Sequence, residues 1–481
     1  MTLREPIELV HPRELGTVHF IAMGGSGMSG LALAYHELGV PVSGCDQADT
    51  EALEQLRADG IETWVGHDPA QLAGVDTVVI SSAIRPDNVE LVAARSRGLR
   101  IWHRSAALAA LMLDHEAVSV AGTHGKTTTT AMIATMATVA GADPSYVVGS
   151  PLASTGESAK IGKGRPFIVE ADESDGSFLQ YPTRIAVITN VEADHLDNWG
   201  SPERYAEGFE RFATRPTVRE VVIDADDAGA RALTRKLRAR DNAPRIITYG
   251  ESAEADARLS DIQFSGMSSS ATLHFEGVDH QLRLAVPGRH NLWDAAAAFV
   301  TGRLLGLAAD DLVRGAHAFA GTLRRFQPLG TVILADGDVH VFDDYAHHPT
   351  EIRAVLDAGR RVAGDHRLVA CFQPHLYSRT EEFATDFGKA LALADVVVVT
   401  DIYGAREQPV PGVTGKLVAD AAIDAGAETY YVPDKNALPA KLAEIVRGGD
   451  FVITVGAGDI TRVGPALLRI LRGQSHREDH D

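Results

Sequence analysis

At 481 residues the chain is too long for one ordinary hydrophobic core and implies two or three domains. Its 45% hydrophobic and 23% charged content is that of a globular protein, and no run of eighteen apolar residues predicts a membrane span. A net charge of −20 argues against nonspecific nucleic-acid binding, which needs clustered Lys and Arg.

The N-terminal stretch is charged and lacks the apolar segment of a secretory signal. Cys45 and Cys371 are far apart and border apolar runs, so they read as buried, reduced thiols and the expected location is the cytoplasm.

In chain order, TVHFIAM reads as a strand and is followed by Gly25-Ser26-Gly27-Met28-Ser29-Gly30 and the helical LALAYHELG. The second strand, VPVSGCD, ends in Asp46. This is the G-x-G-x-x-G arrangement that places a diphosphate on backbone amides, with an acidic residue for a ribose. Taken alone it suggests a dinucleotide-binding dehydrogenase. Further strands, DTVVISS and LRIWH, alternate with helical TEALEQLRADG and VELVAARSRG, which predicts a Rossmann-like domain over 1–113.

A second parallel set follows with AVSVAG, RPFIVEAD, RIAVITN and EVVIDAD. Residues 250–290 alternate apolar and polar positions, which predicts an antiparallel meander, and NLWDAAAAFVTGRLLG predicts a helix. Strands restart near 322 with TVILADG, VHVFDDY, HRLVACF, DVVVVTD, TYYVPD and DFVITVGAG. The expected architecture is α/β in three domains, at 1–113, 114–322 and 323–481, the central one of P-loop ATPase type with an antiparallel portion and the last Rossmann-like. The terminal QSHREDHD is expected to be a disordered tail.

The second glycine loop, AGTHGKTTTT at 121–130, lies between a strand and a helix. Backbone amides and a helix N-terminus there suit phosphate, Lys126 adds a point charge, and the Thr127 hydroxyl suits Mg²⁺. Val120 stands where the full P-loop pattern has its first glycine. Hydride transfer needs no such loop, so the dehydrogenase reading weakens and ATP enters as the expected nucleotide.

Three strand ends carry crowded polar groups: Glu170, Asp172, Glu173 and Asp175; then Asp194, His195 and Asp197; then Asp343, Asp344, Tyr345, His347 and His348. Carboxylates so placed repel one another unless a cation such as Mg²⁺ is present, and open α/β sheets bind ligands at strand C-termini. Helix caps and solvated turns use the same residue types. No cysteine pair lies near enough to predict a structural zinc site around His347 and His348.

AGTHGKTTT, EADESD, TNVEADHLD, GRHNLWDAAAA, Arg324-Arg325-Phe326, DDYAHHPTE and FQPHLYSRT occur in that order. Together with GGSGMSG, the set resembles the Mur ligases over nearly the whole chain. The resemblance implies three α/β domains and ATP-dependent amide-bond formation through an acyl phosphate, in cytoplasmic peptidoglycan precursor synthesis. Within the family the continuation ESDGSF fits ligation of L-alanine to the lactyl carboxylate of UDP-N-acetylmuramate. The alternative is a same-fold ligase that attaches a recycled peptide to the same nucleotide.

Carried onto this sequence, the resemblance implies an ATP site of Gly122, Thr123, Gly125, Lys126, Thr127 and Thr128, with His290 and Asn291 at the adenine. Asp343 would lie near the ribose, and Arg325 would reach the phosphates from the third domain. Thr127 and Glu173 would ligate one Mg²⁺ and His195 a second. Tyr345, His347, His375 and Arg379 would form the amino-acid pocket, where an Arg fork suits a carboxylate. Gly25, Ser26, Gly27, Met28, Ser29, Asp46, Ser82 and Arg104 would hold the UDP-sugar, with His124 facing the sugar. Lys126, His195, His347 and Arg379 are the groups implied to act in the chemistry.

Two positions depart from the family pattern. Phe209 stands where several sibling ligases carry a carbamylated lysine, as expected for the alanine-adding type. Ser158 stands where relatives have the Asn of a GxNA stretch, which puts one sugar contact in doubt.

Overall fold

The computed structural model describes residues 3–405 and 407–478, apart from the side chains of Ser26, Asp197 and residues 474–478. Three separate sheets organise the chain. The first has five parallel strands in the order Glu62–Val65, Val42–Asp46, Val18–Ile21, Thr77–Ile80 and Arg100–His103. Val18–Ile21 is buried at all four positions, as a central strand covered on both faces must be. The chain reverses its direction of winding beside this strand, so the crevice at its C-terminal end opens directly onto the first glycine loop.

The second sheet has ten strands. Its parallel centre, Glu220–Asp224, Ile185–Ile188, Glu116–Ala121 and Pro166–Glu170, brings the GKT loop and both acidic strand ends to one edge. The predicted meander is Ala257–Ser265, Ser268–Phe275 and Val278–Leu284, antiparallel and joined to the same sheet through Arg245–Gly250. The helix Lys126–Val139 packs between Arg289–Leu304 and Ala309–Ala318. Close approach is possible because Ala295 to Ala298 are fully buried small residues and a Cβ on Gly315 would fall 2.6 Å from Met136 Cα.

The third sheet runs Gln327–Leu334, Gly337–Asp344, Phe451–Val455, Leu368–Phe372, Val396–Val399 and Glu428–Tyr431. Its first pair is an antiparallel hairpin and the rest are parallel, so this block is mixed at one edge. The expected disordered tail from 474 needs correction. The last helix, Val463–Glu478, continues through Gln474 and Arg477, both good helix formers, and 479–481 lie outside the described residues.

No helix among the described residues is long and apolar enough to cross a membrane. Both cysteines are free and buried. Phe209 is wholly buried in an aromatic cluster with Phe178 and Tyr205, at ring distances of 5.5 and 5.3 Å, where no ionised group could be solvated.

Candidate active site

The GKT loop is shaped by its glycines. Gly122 adopts φ 141°, and a Cβ there would fall 1.9 Å from Thr189 Oγ1. Gly125, at φ 81°, caps the helix Lys126–Val139. Asn190 clasps the loop from the neighbouring strand end: its Oδ1 accepts from His124 N at 2.9 Å and its Nδ2 donates to His124 O at 3.0 Å. Thr123 turns inward instead, donating to Glu192 O at 2.7 Å and meeting Tyr205 Oη at 3.0 Å, so its side chain braces the loop.

Lys126 Nζ donates to Gly122 O, to Thr123 O and, at 2.9 Å, to Glu173 Oε1. Burial alone would lower the Lys126 pKa, but Glu173 and Glu170 raise it, so the ammonium stays charged. Burial pushes the Glu173 carboxyl up to about 7 although Lys126 opposes the shift. Glu173 Oε2 is buried without a hydrogen-bond partner. His195 takes φ 54°, which turns its ring back so that Nε2 lies 3.9 Å from Glu173 Oε1 and 3.6 Å from Asp194 Oδ2. Burial lowers the His195 pKa and favours a neutral imidazole.

Two connected cavities meet at this loop. The larger, about 700 Å³, is lined by Gly125, Thr127, Thr128, His290, Asn291, Trp293, Asp294, Arg325 and Asp344. The smaller, about 180 Å³, is lined by Lys126, Thr127, Asp172, Glu173, Asp194, His195, Arg325, Tyr345 and His347. His124, Gly125, Thr127, Arg325 and Glu351 border both. Within the larger cavity Asn291 Nδ2 donates to Pro287 O at 2.6 Å, and burial lowers the His290 pKa to about 4.

The third block closes the other side. Arg324 and Arg325 both stack on the Tyr345 ring, at 4.6 and 5.3 Å. His347 Nδ1 lies 3.1 Å from Tyr345 O, and since a carbonyl only accepts, this nitrogen carries the proton. Burial drives the His347 pKa down to about 3, leaving Nε2 as an acceptor. Its ring meets that of His375 at 5.9 Å, and His375 in turn stacks on Tyr403.

Three of the expected site residues are held by partners within the protein. Asp343 is wholly buried and accepts from Thr454 Oγ1 at 2.6 Å and Thr461 Oγ1 at 2.7 Å, so it does not line the nucleotide cavity; Asp344 does. His124 lies at the seam between the second and third blocks, bordering both cavities, with Nε2 2.9 Å from Glu192 Oε2 and Nδ1 3.1 Å from Glu351 Oε1. Arg379, buried and set back from the smaller cavity, is no open fork: its Nη2 reaches both Asp194 oxygens at 3.1 Å. The Arg379 guanidinium and the backbone N–H of His195, which donates to Asp194 Oδ1 at 2.8 Å, hold the Asp194 carboxyl far below the usual carboxylate range despite burial.

The first glycine loop stands apart from these cavities. Gly25 precedes the helix Ser26–Glu37, and Met28 is buried beneath it. Asp46 Oδ2 accepts from Gly24 N at 2.9 Å, so this carboxylate braces the loop. A Cβ on Gly27 would lie 3.6 Å from Arg104 Nη1, which puts a guanidinium beside the loop's amides. Ser82 accepts from Arg4 Nη2 at 3.1 Å and meets His103 Nε2 at 3.1 Å. Ser29 is helical in the first turn, and the Ser26 side chain lies outside the described residues. Ser158 contributes its carbonyl to Val148 N at 2.8 Å.

Sequence reading did not single out Asn190, Glu192, Asp294 or Glu351. Each sits inside a motif that was read, but its role depends on partners distant in sequence. Asp294 accepts from Thr129 Oγ1 at 2.7 Å, and burial pushes its pKa up to about 7.

Comparison with known proteins agrees with these three blocks. The model described as "Mur ligase family, catalytic domain" matches residues 17–116, "Mur ligase middle domain" matches 120–302, and "Mur ligase, glutamate ligase domain" matches 324–458. A UDP-N-acetylmuramate–L-alanine ligase of Cutibacterium acnes is 61% identical over 476 residues, covering 99% of this chain and 100% of that protein. The crystal structure of a UDP-N-acetylmuramate-alanine ligase from Thermotoga maritima is similar at TM-score 0.76 and 31% identity, covering 95% of this chain and 99% of that one. A murein peptide ligase from Psychrobacter arcticus shares the fold at TM-score 0.66 and 23% identity, covering 95% and 99%.

Proposed function

The chain belongs to the Mur ligase family, and from that premise we propose that it joins L-alanine to the lactyl carboxylate of UDP-N-acetylmuramate at the expense of ATP. The observation that carries this reading is the full-length 61% identity to the Cutibacterium acnes ligase. The recycling-ligase reading has in its favour solved structures at 23% and 26% identity, the second matching 64% of this chain. The working location is the cytoplasm, where ATP and nucleotide-sugars are available. We assign the UDP-sugar to 1–113, ATP to 114–322 and the amino acid to 323–481.

A carboxylate oxygen of the substrate attacks the γ-phosphorus of ATP and ADP leaves, giving an acyl phosphate. The free amine of L-alanine then attacks the acyl carbon, the acyl–oxygen bond to phosphate breaks, and the departing inorganic phosphate takes up the proton that the amine releases. Such transfers depend on positioning and charge neutralisation more than on covalent participation by the protein. Lys126 supplies fixed positive charge at the β- and γ-phosphates, with Gly122 to Thr128 as the amide cradle. Asn291 and His290 face the base, and Arg325 contributes charge from the third block. Asp344 takes the place first expected for Asp343.

The buried, unpartnered Glu173 Oε2 beside the cavity-lining Thr127 is an oxygen-donor set that fits Mg²⁺, with His195 next to it. Bound there, the ion would neutralise phosphoryl charge. His347 Nε2, too weak a base to take the amine proton early, accepts a hydrogen bond that orients the amine. Arg379 acts with Asp194 at the end of the amino-acid site. Gly25 to Ser29, with Arg104, hold the diphosphate of the UDP-sugar.

The test is phosphate release from ATP by the full chain. Release is expected only with UDP-N-acetylmuramate, L-alanine and Mg²⁺ together. Release that persists when any one is withheld would overturn the proposal.

A further inference from the structure

Away from both cavities, four side chains from four separate elements of the first block converge. His19 comes from the strand Val18–Ile21, Cys45 from Val42–Asp46, His67 from the loop after Glu62–Val65, and Glu90 from the helix Val89–Ser96. Cys45 Sγ lies 2.9 Å from Glu90 Oε2 and 3.1 Å from His67 Nδ1. His67 Nδ1 is 2.9 Å from the same Glu90 oxygen. His19 Nε2 faces Glu90 Oε1 at 3.5 Å. The side chains of His19 and Glu90 are 0% exposed, and only His67, at 12%, reaches solvent.

Two of these atoms are unsatisfied. His19 Nε2 and Glu90 Oε1 are buried, face each other and make no hydrogen bond. His19 Nδ1 lies 2.9 Å from Ser43 Oγ. If Nδ1 donates there, an imidazole lone pair points at a carboxylate oxygen; if Nε2 carries the proton, it meets Glu90 Oε1 only at a long 3.5 Å. Either arrangement leaves this buried pair short of a well-made hydrogen bond. A cation between them removes the conflict in the first tautomer. Ser43 then acts as the outer partner that fixes the ring.

We propose that His19, Cys45, His67 and Glu90 form a buried site for a zinc-class divalent ion that ties the first block together. One thiolate, two imidazoles and one carboxylate are the donor set of a borderline ion. Tetrahedral bonds of 2.0–2.3 Å put neighbouring donors about 3.3–3.7 Å apart. Cys45 Sγ, His67 Nδ1 and Glu90 Oε2, at 2.9–3.1 Å from one another, need a small outward shift to reach that, while His19 Nε2 approaches from the side of the other carboxylate oxygen at 3.5 Å. The donor atoms of His19, Cys45 and Glu90 all lie within 4.8 Å of one another. Binding displaces the Cys45 thiol proton, which leaves to solvent past His67, so affinity rises with pH.

The site bears on the UDP-sugar loop through the backbone. Cys45 O accepts from Met23 N at 2.8 Å, and the next residue, Asp46, accepts from Gly24 N. Anchoring Cys45 therefore anchors the start of the glycine loop. This assignment stands on the cluster alone and does not depend on which amino acid is ligated.

The test uses the full chain, stripped with a chelator and then loaded with Zn²⁺ or Co²⁺. About one zinc per chain should survive gel filtration by elemental analysis, and the cobalt form should show a thiolate-to-metal charge-transfer band. Cys45→Ser should abolish the band and Cys371→Ser should keep it, which separates this site from any cation at Glu173. Ser43→Ala should weaken binding by roughly 10- to 100-fold. His67→Gln, at the exposed rim, provides a second variant if Cys45→Ser fails to fold, and should also weaken retention. A chain that retains no zinc, or a cobalt band that survives Cys45→Ser or His67→Gln unchanged, overturns the proposal.

Discussion

Lys126 Nζ donates to Glu173 Oε1 at 2.9 Å while Glu173 Oε2 stays buried and unpartnered. One carboxylate thus positions the loop's only lysine and keeps its second oxygen without a protein partner. Lys126→Met is expected to lower kcat for ADP formation by roughly 10³-fold or more, because charge at the transferred phosphoryl group is lost. Thermal stability should change little, since Glu173, already raised to about 7, can take up a proton once its partner is gone. Steady-state kinetics and calorimetry on the same variant check both halves. A large drop in Tm would indicate a structural role instead.

Asp294 gives a pH signature. Its folded pKa is raised to about 7 by burial, so between its unfolded value of about 4 and about 7 the folded state binds more protons than the unfolded state. Stability from this group is therefore lost as pH rises through that window. Asp294→Asn keeps an acceptor for Thr129 and removes the titration. The Tm of the variant relative to the native chain should climb across the window, and a flat difference would contradict this.

His124 joins Glu192 in the second block to Glu351 in the third, and these two carboxylates raise its pKa to about 9 although burial opposes them. His348, its ring tilted against that of His124 at 4.7 Å, is kept neutral by burial and by His124 itself. A raised histidine pKa means the contact is fully present below about 6.5 and fades as pH passes about 9. Small-angle scattering should show the second and third blocks separating above that pH in the native chain. The His124→Gln variant should show no such step.

Arg379 and Asp194 form another bridge between these blocks. Arg379→Lys keeps the charge but loses the planar fork. It is expected to raise KM for L-alanine by about tenfold, with KM for ATP nearly unchanged. Equal increases in both would remove Arg379 from the amino-acid end of the site.

These bridges also mark what the sequence could reveal. The two glycine loops, the GKT lysine and the acidic strand ends are local features, and their chemistry is legible from consecutive residues. The Arg379–Asp194 and His124–Glu351 contacts span 185 and 227 residues and arise only when separate blocks pack. Asp343 and Asp344 could not be ranked beforehand, because neighbours on a strand point to opposite faces and the register decides which meets the cavity. His19, Cys45, His67 and Glu90 were invisible for the same reason, each coming from a different βα unit.

The amino-acid substrate is the central claim, and mass spectrometry of the product tests it most directly. With ATP, Mg²⁺ and UDP-N-acetylmuramate, an equimolar mixture of L-alanine and the tripeptide L-alanyl-γ-D-glutamyl-meso-diaminopimelate should yield UDP-N-acetylmuramoyl-L-alanine. A product carrying the tripeptide, with none carrying alanine alone, would contradict the account.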